Sequence, residues 1–218
     1  MRNHSSITNV LLICGIAATL FYVSIDIVGG LLWHGYSFVS QAISELDAIG
    51  SPTRGLLAPL YPIYSMLMIA SGVGILSASQ RIILRYIGGL QVVIGVIGIA
   101  WIPFPMHLGE AVTSPANTMH SAFAGIQTLF ILSSIGLGTI ALRRRFAFYS
   151  ASMLVIVIAS GALTFSSYWL GMQSGWFGLV ERITVYAYML WVVVLSIAML
   201  YEQRSETNVA SNSTSYAA

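Results

Sequence analysis

Charged side chains are scarce in this sequence of 218 residues, and their scarcity decides the class of protein. Only 7% of the residues are charged, whereas soluble domains carry about 25%. Hydrophobic residues make up 57%. Because a water-facing surface cannot be built from so few charges, most of the surface must face lipid. The net charge of +2 and the lack of a basic stripe exclude a nucleic-acid partner.

Cysteine and catalytic motifs are also scarce. Cys14 is the only cysteine, so no disulfide can form within the chain. The sequence holds no phosphate-binding glycine loop and no Gly-x-Ser-x-Gly nucleophile elbow. No motif therefore identifies an enzyme, the catalytic residues are unknown, and we expect no cofactor.

Long apolar runs are what the sequence does contain. Each of six runs is long enough to cross about 30 Å of hydrocarbon as an α-helix, and lipid offers no partner for the open backbone groups of other structures. The first run is too long for a signal-peptide core, so we expect it to be retained. The sequence predicts an all-α integral membrane bundle in one domain (residues 1–202), followed by a disordered polar tail (residues 203–218). The six predicted helices lie at about residues 8–32, 56–79, 82–103, 117–142, 146–170 and 179–202.

The arginines predict the orientation of the bundle. There is no lysine, and seven of the nine arginines fall at the termini and in the second and fourth loops, against Arg54 and Arg182 on the other side. By the positive-inside rule, this bias predicts that both termini are cytoplasmic. Four of the five tryptophans then lie at the outer interface, as in an aromatic belt: Trp33, Trp101, Trp169 and Trp176.

The first outer loop, residues 33–55, is long and carries apolar residues at helical spacing. We expect a short amphipathic helix there, lying at the interface or over the bundle. A plain loop with some apolar residues is the alternative. The apolar positions are Phe38, Val39, Ala42, Ile43 and Leu46.

Small and amide side chains inside the helices predict how the helices pack. Small residues let helix backbones approach closely, and amides hydrogen-bond across helices. Gln91 and Gln127 are expected to link helices without bonding each other, since their depths differ by about 9 Å. Close packing is predicted at Gly88, Gly95 and Gly98 on the third helix, and at Ser121 and Gly125 on the fourth.

Nearly all the other ionisable groups fall in the outer half. A charge within the membrane costs at least a few kcal/mol unless it is paired, so Asp26 is expected to pair with Arg182, which lies at a similar depth. This layer is interpreted either as a site for an ion, a lipid headgroup or a substrate, or as a salt bridge that only joins the first and last helices. The candidate binding layer comprises Asp26, Ser44, Glu45, His120, Glu181 and Arg182.

Two histidines bracket the third outer loop, with an acid between them. Histidine and carboxylate are common metal ligands. However, the histidines are thirteen positions apart and no close pair exists, so we predict no metal site. The residues to be tested as ligands are His107, Glu110 and His120.

Three short motifs, taken in order, carry a family resemblance. The first loop reads Ile43-Ser44-Glu45-Leu46, the third loop Phe104-Pro105-Met106-His107 and then Met119-His120, and the last helix opens Gly178-Leu179-Val180-Glu181-Arg182. From about residue 10 to 200, the chain resembles the bacterial and archaeal membrane family called domain of unknown function 998 (DUF998). The positions that match the motifs of the family are Ser44 with Glu45, His120 and Arg182. It departs at His107, where the family usually has aspartate, so a role that needs a carboxylate there would fall to Glu110.

Three functions remain open. The protein, in the cell membrane of a bacterium or archaeon, binds or transports a small molecule, ion or lipid headgroup through an outer polar pocket. Alternatively, it is an intramembrane metal-dependent hydrolase or lipid-modifying enzyme, using His107, His120, Asp26 and Ser44, or a structural or accessory protein without catalysis. The lipid bilayer is its one expected partner, and its oligomeric state stays open. Convergence of the polar residues on a cavity would favour the first function.

Overall fold

The computed structural model describes residues 2–169 and 175–215, with side chains for residues 6–169 and 175–203. Within these ranges the protein is helical and contains no strand. Six of the described helical segments are long and apolar enough to cross a membrane. The predicted all-α bundle of six membrane helices is therefore confirmed.

The membrane-crossing segments follow the apolar runs closely. The short helix α2 leads directly into α3, and the two form a single span over residues 54–78. Each predicted helix corresponds to one observed span, and the span ends differ from the predicted ends by at most three residues. The helices are α1 (Arg2–Leu32), α2 (Arg54–Leu57), α3 (Tyr61–Ala78), α4 (Ile82–Ala100), α5 (Pro115–Ala141), α6 (Arg144–Trp169) and α7 (Phe177–Ser215).

The last helix runs further than the apolar sequence. Its backbone is helical past Gln203 up to Ser215, where the sequence predicts a disordered tail. A helix that is already nucleated gains one hydrogen bond for each residue that it orders, so polar residues can continue it. Residues 216–218 of that tail lie outside the described residues.

The spanning helices follow one another around a ring. Each packs mainly against its neighbours in sequence, and α1 packs against α7 to close the ring. Glycine allows the closest approaches, as predicted for α4: a Cβ atom added to Gly88 would lie 2.9 Å from the carbonyl oxygen of Gly72. A Cβ atom on Gly95 would lie 2.8 Å from the carbonyl oxygen of Ser65.

Amide side chains join helices across the ring, also as predicted. Gln91 Oε1 accepts a hydrogen bond from the hydroxyl of Tyr188 on α7, at 3.0 Å. Gln127 Nε2 donates to the carbonyl oxygen of Ile94 on α4, at 3.2 Å. The two glutamines therefore bind different partners and not each other.

The two ends of the bundle differ in what fills them. One end, called here the arginine end, carries Arg81 and Arg143 between helices, Arg85 in the first turn of α4, and Arg144 and Arg145 in the first turn of α6. Towards the arginine end, side chains fill the space inside the ring, and Ile135, Trp191 and Leu195 are fully buried there. The other end, called the loop-rich end, carries residues 33–53 and 101–114.

The first loop folds onto the bundle at the loop-rich end. The predicted amphipathic helix is a five-residue 3₁₀ helix, Ile43–Asp47, whose buried residues are Ile43 and Leu46. Leu46 packs in a small apolar cluster with Ile25 of α1 and Leu57 of α2. Burial of this face fixes the loop above the helices.

Candidate functional site

A buried ion pair joins the first and last helices, as predicted. Arg182 on α7 donates from Nε and Nη2 to the two carboxylate oxygens of Asp26 on α1, at 2.9 and 2.8 Å. Asp26 is 1% exposed and Arg182 is 6% exposed. Tyr186 also donates to the Asp26 carboxylate. The bidentate geometry and the added hydrogen bond satisfy charges that burial would otherwise make costly.

The same arginine fastens the first loop to α7. Its Nη1 atom donates to the carbonyl oxygens of Phe38 and Gln41, at 2.7 and 2.9 Å, and to that of Gly178 at 3.1 Å. Its Nη2 atom donates to the hydroxyl of Tyr36 at 2.6 Å. All five N–H groups of Arg182 are thus used inside the protein. Asp26 and Arg182 hold the fold together at this end.

Gly178 is what lets the first loop come this close to α7. A Cβ atom there would lie 2.0 Å from the carbonyl oxygen of Gln41 and 2.8 Å from Nη1 of Arg182. The approach is fixed by a backbone hydrogen bond at 2.9 Å from the amide of Leu179 to the carbonyl oxygen of Val39. Any larger residue at position 178 would displace the loop.

Two glutamates accept hydrogen bonds from the start of the 3₁₀ helix in the first loop. Glu181 Oε2 accepts from the backbone N–H of Ile43 at 2.6 Å, and Glu45 Oε1 accepts from that of Ala42 at 3.1 Å. Since these N–H groups belong to consecutive residues, the two carboxylate oxygens lie within roughly 10 Å of each other. Gln41 Nε2 donates to the other Glu45 oxygen at 2.9 Å. The loop therefore brings together two acids that are 136 positions apart in the chain.

Asn117 organises the third loop, and sequence reasoning missed it. Its Oδ1 atom accepts from the backbone N–H of His107 at 2.8 Å. Its Nδ2 atom lies 3.2 Å from the carbonyl oxygen of His107 and 3.1 Å from that of Ala111. The backbone of the same loop bonds to the first loop through Ile49, whose amide donates to Met106 at 2.7 Å. The only sequence signal is local: Ser114 caps α5, and Asn117 lies in the first turn.

The residues to be tested as metal ligands do not converge. His107 Nδ1 lies 2.9 Å from Glu110 Oε1, but His120 has a separate partner, since Trp101 Nε1 lies 3.0 Å from its Nδ1 atom. The same Nδ1 atom also lies 3.2 Å from the carbonyl oxygen of Phe104, so the contacts of His120 are with Trp101 and Phe104 and not with His107 or Glu110. No group of three or more metal-ligand side chains occurs among the residues described.

The residues named for a hydrolase are likewise dispersed. Asp26 is paired with Arg182, and the Ser44 hydroxyl contacts Met106 Sδ at 3.6 Å. His120 is held by Trp101. No nucleophile therefore has a base within hydrogen-bond reach in this set.

The pKa values of two carboxyl groups in the loops are shifted, one by burial and the other by hydrogen bonds. Asp47 lies at the end of the 3₁₀ helix, and burial raises the pKa of its carboxyl to about 6, while the charge of Arg54 partly opposes the rise. Arg54 itself donates to the backbone carbonyl oxygen of Asp47. In contrast, hydrogen bonds from Ser114 and His107 lower the pKa of the exposed Glu110.

A cavity of about 1230 Å³ lies inside the ring below these loops. Its upper lining is polar and includes Ser44, His107, His120 and four acids, called here the acidic rim: Glu45, Asp47, Glu110 and Glu181. Its deeper lining, called the apolar wall, comprises Ile94, Leu129, Leu132, Val157 and Ile158. Leu132 lies about 25 Å along α5 from Pro115. The cavity therefore extends from the loops past the middle of the bundle.

The candidate binding layer divides into two groups around this cavity. Ser44, Glu45, His120 and Glu181 line it, whereas Asp26 and Arg182 are absent from its lining and pair beside it. Gly125, predicted to pack closely against another helix, also lines the cavity. A Cβ atom there would meet nothing within 4 Å, so that prediction is wrong.

Comparison with known proteins places the chain in a family. Residues 16–198 match the family described as "Protein of unknown function (DUF998)". No curated protein matches the chain, and no solved structure does. The family match covers most of the chain and confirms the resemblance found in the three motifs. This multi-pass membrane protein belongs to the DUF998 family.

Proposed function

We propose that the protein binds a small amphipathic ligand in the cavity. The ligand enters from the loop-rich end, places its polar group at the acidic rim and lays its apolar part along the apolar wall. The cavity carries this proposal. Its volume of about 1230 Å³ is slightly larger than the roughly 300–1,000 Å³ typical of small-ligand pockets.

The apolar wall supports a ligand with an apolar part. Leu129 and Leu132 in the middle of α5 and Ile158 on α6 turn apolar side chains to the cavity. Apolar surface left uncovered in this way is stabilised by an apolar occupant. The rim offers carboxylates and hydroxyls to a polar headgroup at the same time. This polarity gradient matches an amphiphile better than a simple ion.

A role in ligand binding fits the structure better than a role in transport across the membrane. Below the cavity, Ile135, Trp191 and Leu195 are fully buried in the packed core and separate the cavity from the arginine end. The sequence also lacks the internal repeat that alternating access commonly uses. We therefore favour a receptor or carrier role in the membrane over transport.

We place the loop-rich end on the outer face of a bacterial or archaeal cell membrane. The arginines support this orientation, because those of the second and fourth loops lie at the opposite end. The ligand would then come from outside the cell or from the outer leaflet.

Filling the cavity tests the proposal. N-phenyl-1-naphthylamine, an uncharged apolar fluorophore, is titrated into protein purified in dodecyl maltoside. Wild type should show a saturable rise in fluorescence above the linear background of the micelles. Gly125→Phe, which points a ring into open cavity space, should abolish it.

The matched control is Gly136→Phe on the same helix. A Cβ atom at Gly136 also meets nothing within 4 Å, but this residue does not line the cavity. It should keep the saturable signal. Equal saturable binding by both variants, or none by wild type, would contradict a ligand cavity.

A further inference from the structure

The charges that line the cavity are mostly negative. Four carboxylates form the acidic rim, and among the described lining residues the one arginine is Arg54. Four carboxyl groups against one guanidinium make the rim acidic. Inside a pocket with apolar walls, such an excess attracts cations and repels anions more strongly than on an open surface.

Arg182 does not offset this excess. It lies beside Glu181 in the chain, but its guanidinium is neutralised by Asp26 and all its donors are used by internal acceptors. An incoming anion would find no free N–H group on it. A carboxylate or phosphate ligand is thus disfavoured at the rim.

Aromatic rings share the cavity lining with the acids. Tyr22, Tyr61 and Tyr64 all line the cavity, with ring centroids 5.8 Å apart for Tyr22 and Tyr61 and 4.8 Å apart for Tyr22 and Tyr64. The negative faces of such rings attract ammonium groups. The Tyr61 hydroxyl has no hydrogen-bond partner among the described side chains, and it can accept from an N–H donor.

We infer that the ligand is a monovalent amine cation with one apolar chain, whose ammonium group lies between Glu45 and Glu181 at the acidic rim, beside the tyrosine rings. This inference rests on the proposed function and names its ligand class. The ammonium group hydrogen-bonds to the free lone pairs of the two carboxylates. The chain lies along the apolar wall. Two sources supply this chemistry: a free alkylamine and the amine headgroup of a membrane lipid.

Displacement of the fluorophore by three probes tests the charge preference. Octylammonium, octanoate and octanol share one chain and differ in charge. In wild type, octylammonium should displace N-phenyl-1-naphthylamine at about tenfold lower concentration than the other two, since one charge-assisted hydrogen bond is of that order.

Glutamate variants test which carboxylates cause the preference for the ammonium probe. Glu181→Gln keeps an oxygen that can accept from Ile43, and it should raise the octylammonium concentration needed by about tenfold while leaving octanol unchanged. Glu45→Gln should act in the same direction. Glu202→Gln, at the exposed pair with Arg81 near the arginine end, is the control and should change nothing. The thermal unfolding midpoint of each variant shows that it is folded.

The outcomes separate the inference from the proposed function. If the fluorophore binds saturably but the three probes displace it equally, or octanoate does so best, the cavity stands and the amine assignment falls. If the fluorophore does not bind saturably, the proposed function itself falls. Displacement by added sphingosine, a single-chain lipid amine without a phosphate, assigns the lipid source, and displacement by octylammonium alone assigns a free amine.

Discussion

Replacing Gly178 by alanine is expected to weaken the attachment of the first loop to α7. The added Cβ atom would lie 2.0 Å from the carbonyl oxygen of Gln41 and 2.7 Å from its carbonyl carbon. These are backbone atoms, which cannot rotate away, so the loop or the start of the helix must shift. That shift stretches the hydrogen bonds from Arg182 to the loop, at 2.7 and 2.9 Å.

The size of the effect follows from two costs and one gain. Overpacking costs about 1–3 kcal/mol, and a weakened hydrogen bond to a buried charge costs about 1–3 kcal/mol more. Alanine recovers roughly 0.5–1 kcal/mol over glycine within a helix. The net expectation is a loss of about 1–5 kcal/mol in the free energy of unfolding.

Unfolding in dodecyl maltoside with increasing dodecyl sulfate, followed by circular dichroism, measures this loss. Gly89→Ala in α4 is the matched control, because a Cβ atom there meets nothing within 4 Å. The control should be neutral or slightly stabilising. If Gly178→Ala unfolds at the same point as Gly89→Ala, the close approach of loop and helix does not exist as described.

Three further predictions follow. Asp26→Asn leaves the buried guanidinium of its partner uncompensated and should cost about 3–5 kcal/mol; wild-type stability in the same dodecyl sulfate titration would refute the pairing. Burial raises the pKa of Asp47 to about 6, above its ordinary value near 4. This group therefore contributes stability that is full below pH ~4 and is lost as the pH rises through about 6. Asp47→Asn should remove that part of the pH dependence of stability, and an unchanged profile of stability against pH would contradict the burial of Asp47. In a Cys14→Ala background, Thr113→Cys should react with a membrane-impermeant maleimide in intact cells, and Gln80→Cys only after permeabilisation; the reverse pattern would invert the proposed orientation.

The sequence predicts the features that depend on distance along a helix. Six apolar runs define the spans, because length and hydropathy alone decide what crosses a bilayer. The Asp26–Arg182 pair was predictable for the same reason. Depth in the membrane is proportional to residue count at 1.5 Å per residue. Because an unpaired charge within the membrane is costly, opposite charges at equal depth are expected to pair.

Features that depend on helix rotation and loop path could not be read from the sequence. Gly125 has the spacing of a packing residue, but its face turns towards the cavity. His107 and His120 stand at two ends of one loop, yet Asn117 holds the loop so that each histidine has its own partner. The contact of Gly178 with the first loop appears only when the loop has folded back. The cavity results from how all the helices are rotated relative to one another, and no short sequence pattern predicts that arrangement.

An experimental structure with a heavy-atom ligand tests the central claim most directly. Crystals are grown with 8-bromooctylammonium, and the anomalous signal of bromine locates the end of its chain. We predict a bromine peak inside the cavity at the apolar wall, between Leu129 and Val157, with the ammonium group near Glu181. A peak on the lipid-facing surface, or no peak in the cavity, would contradict the ligand cavity.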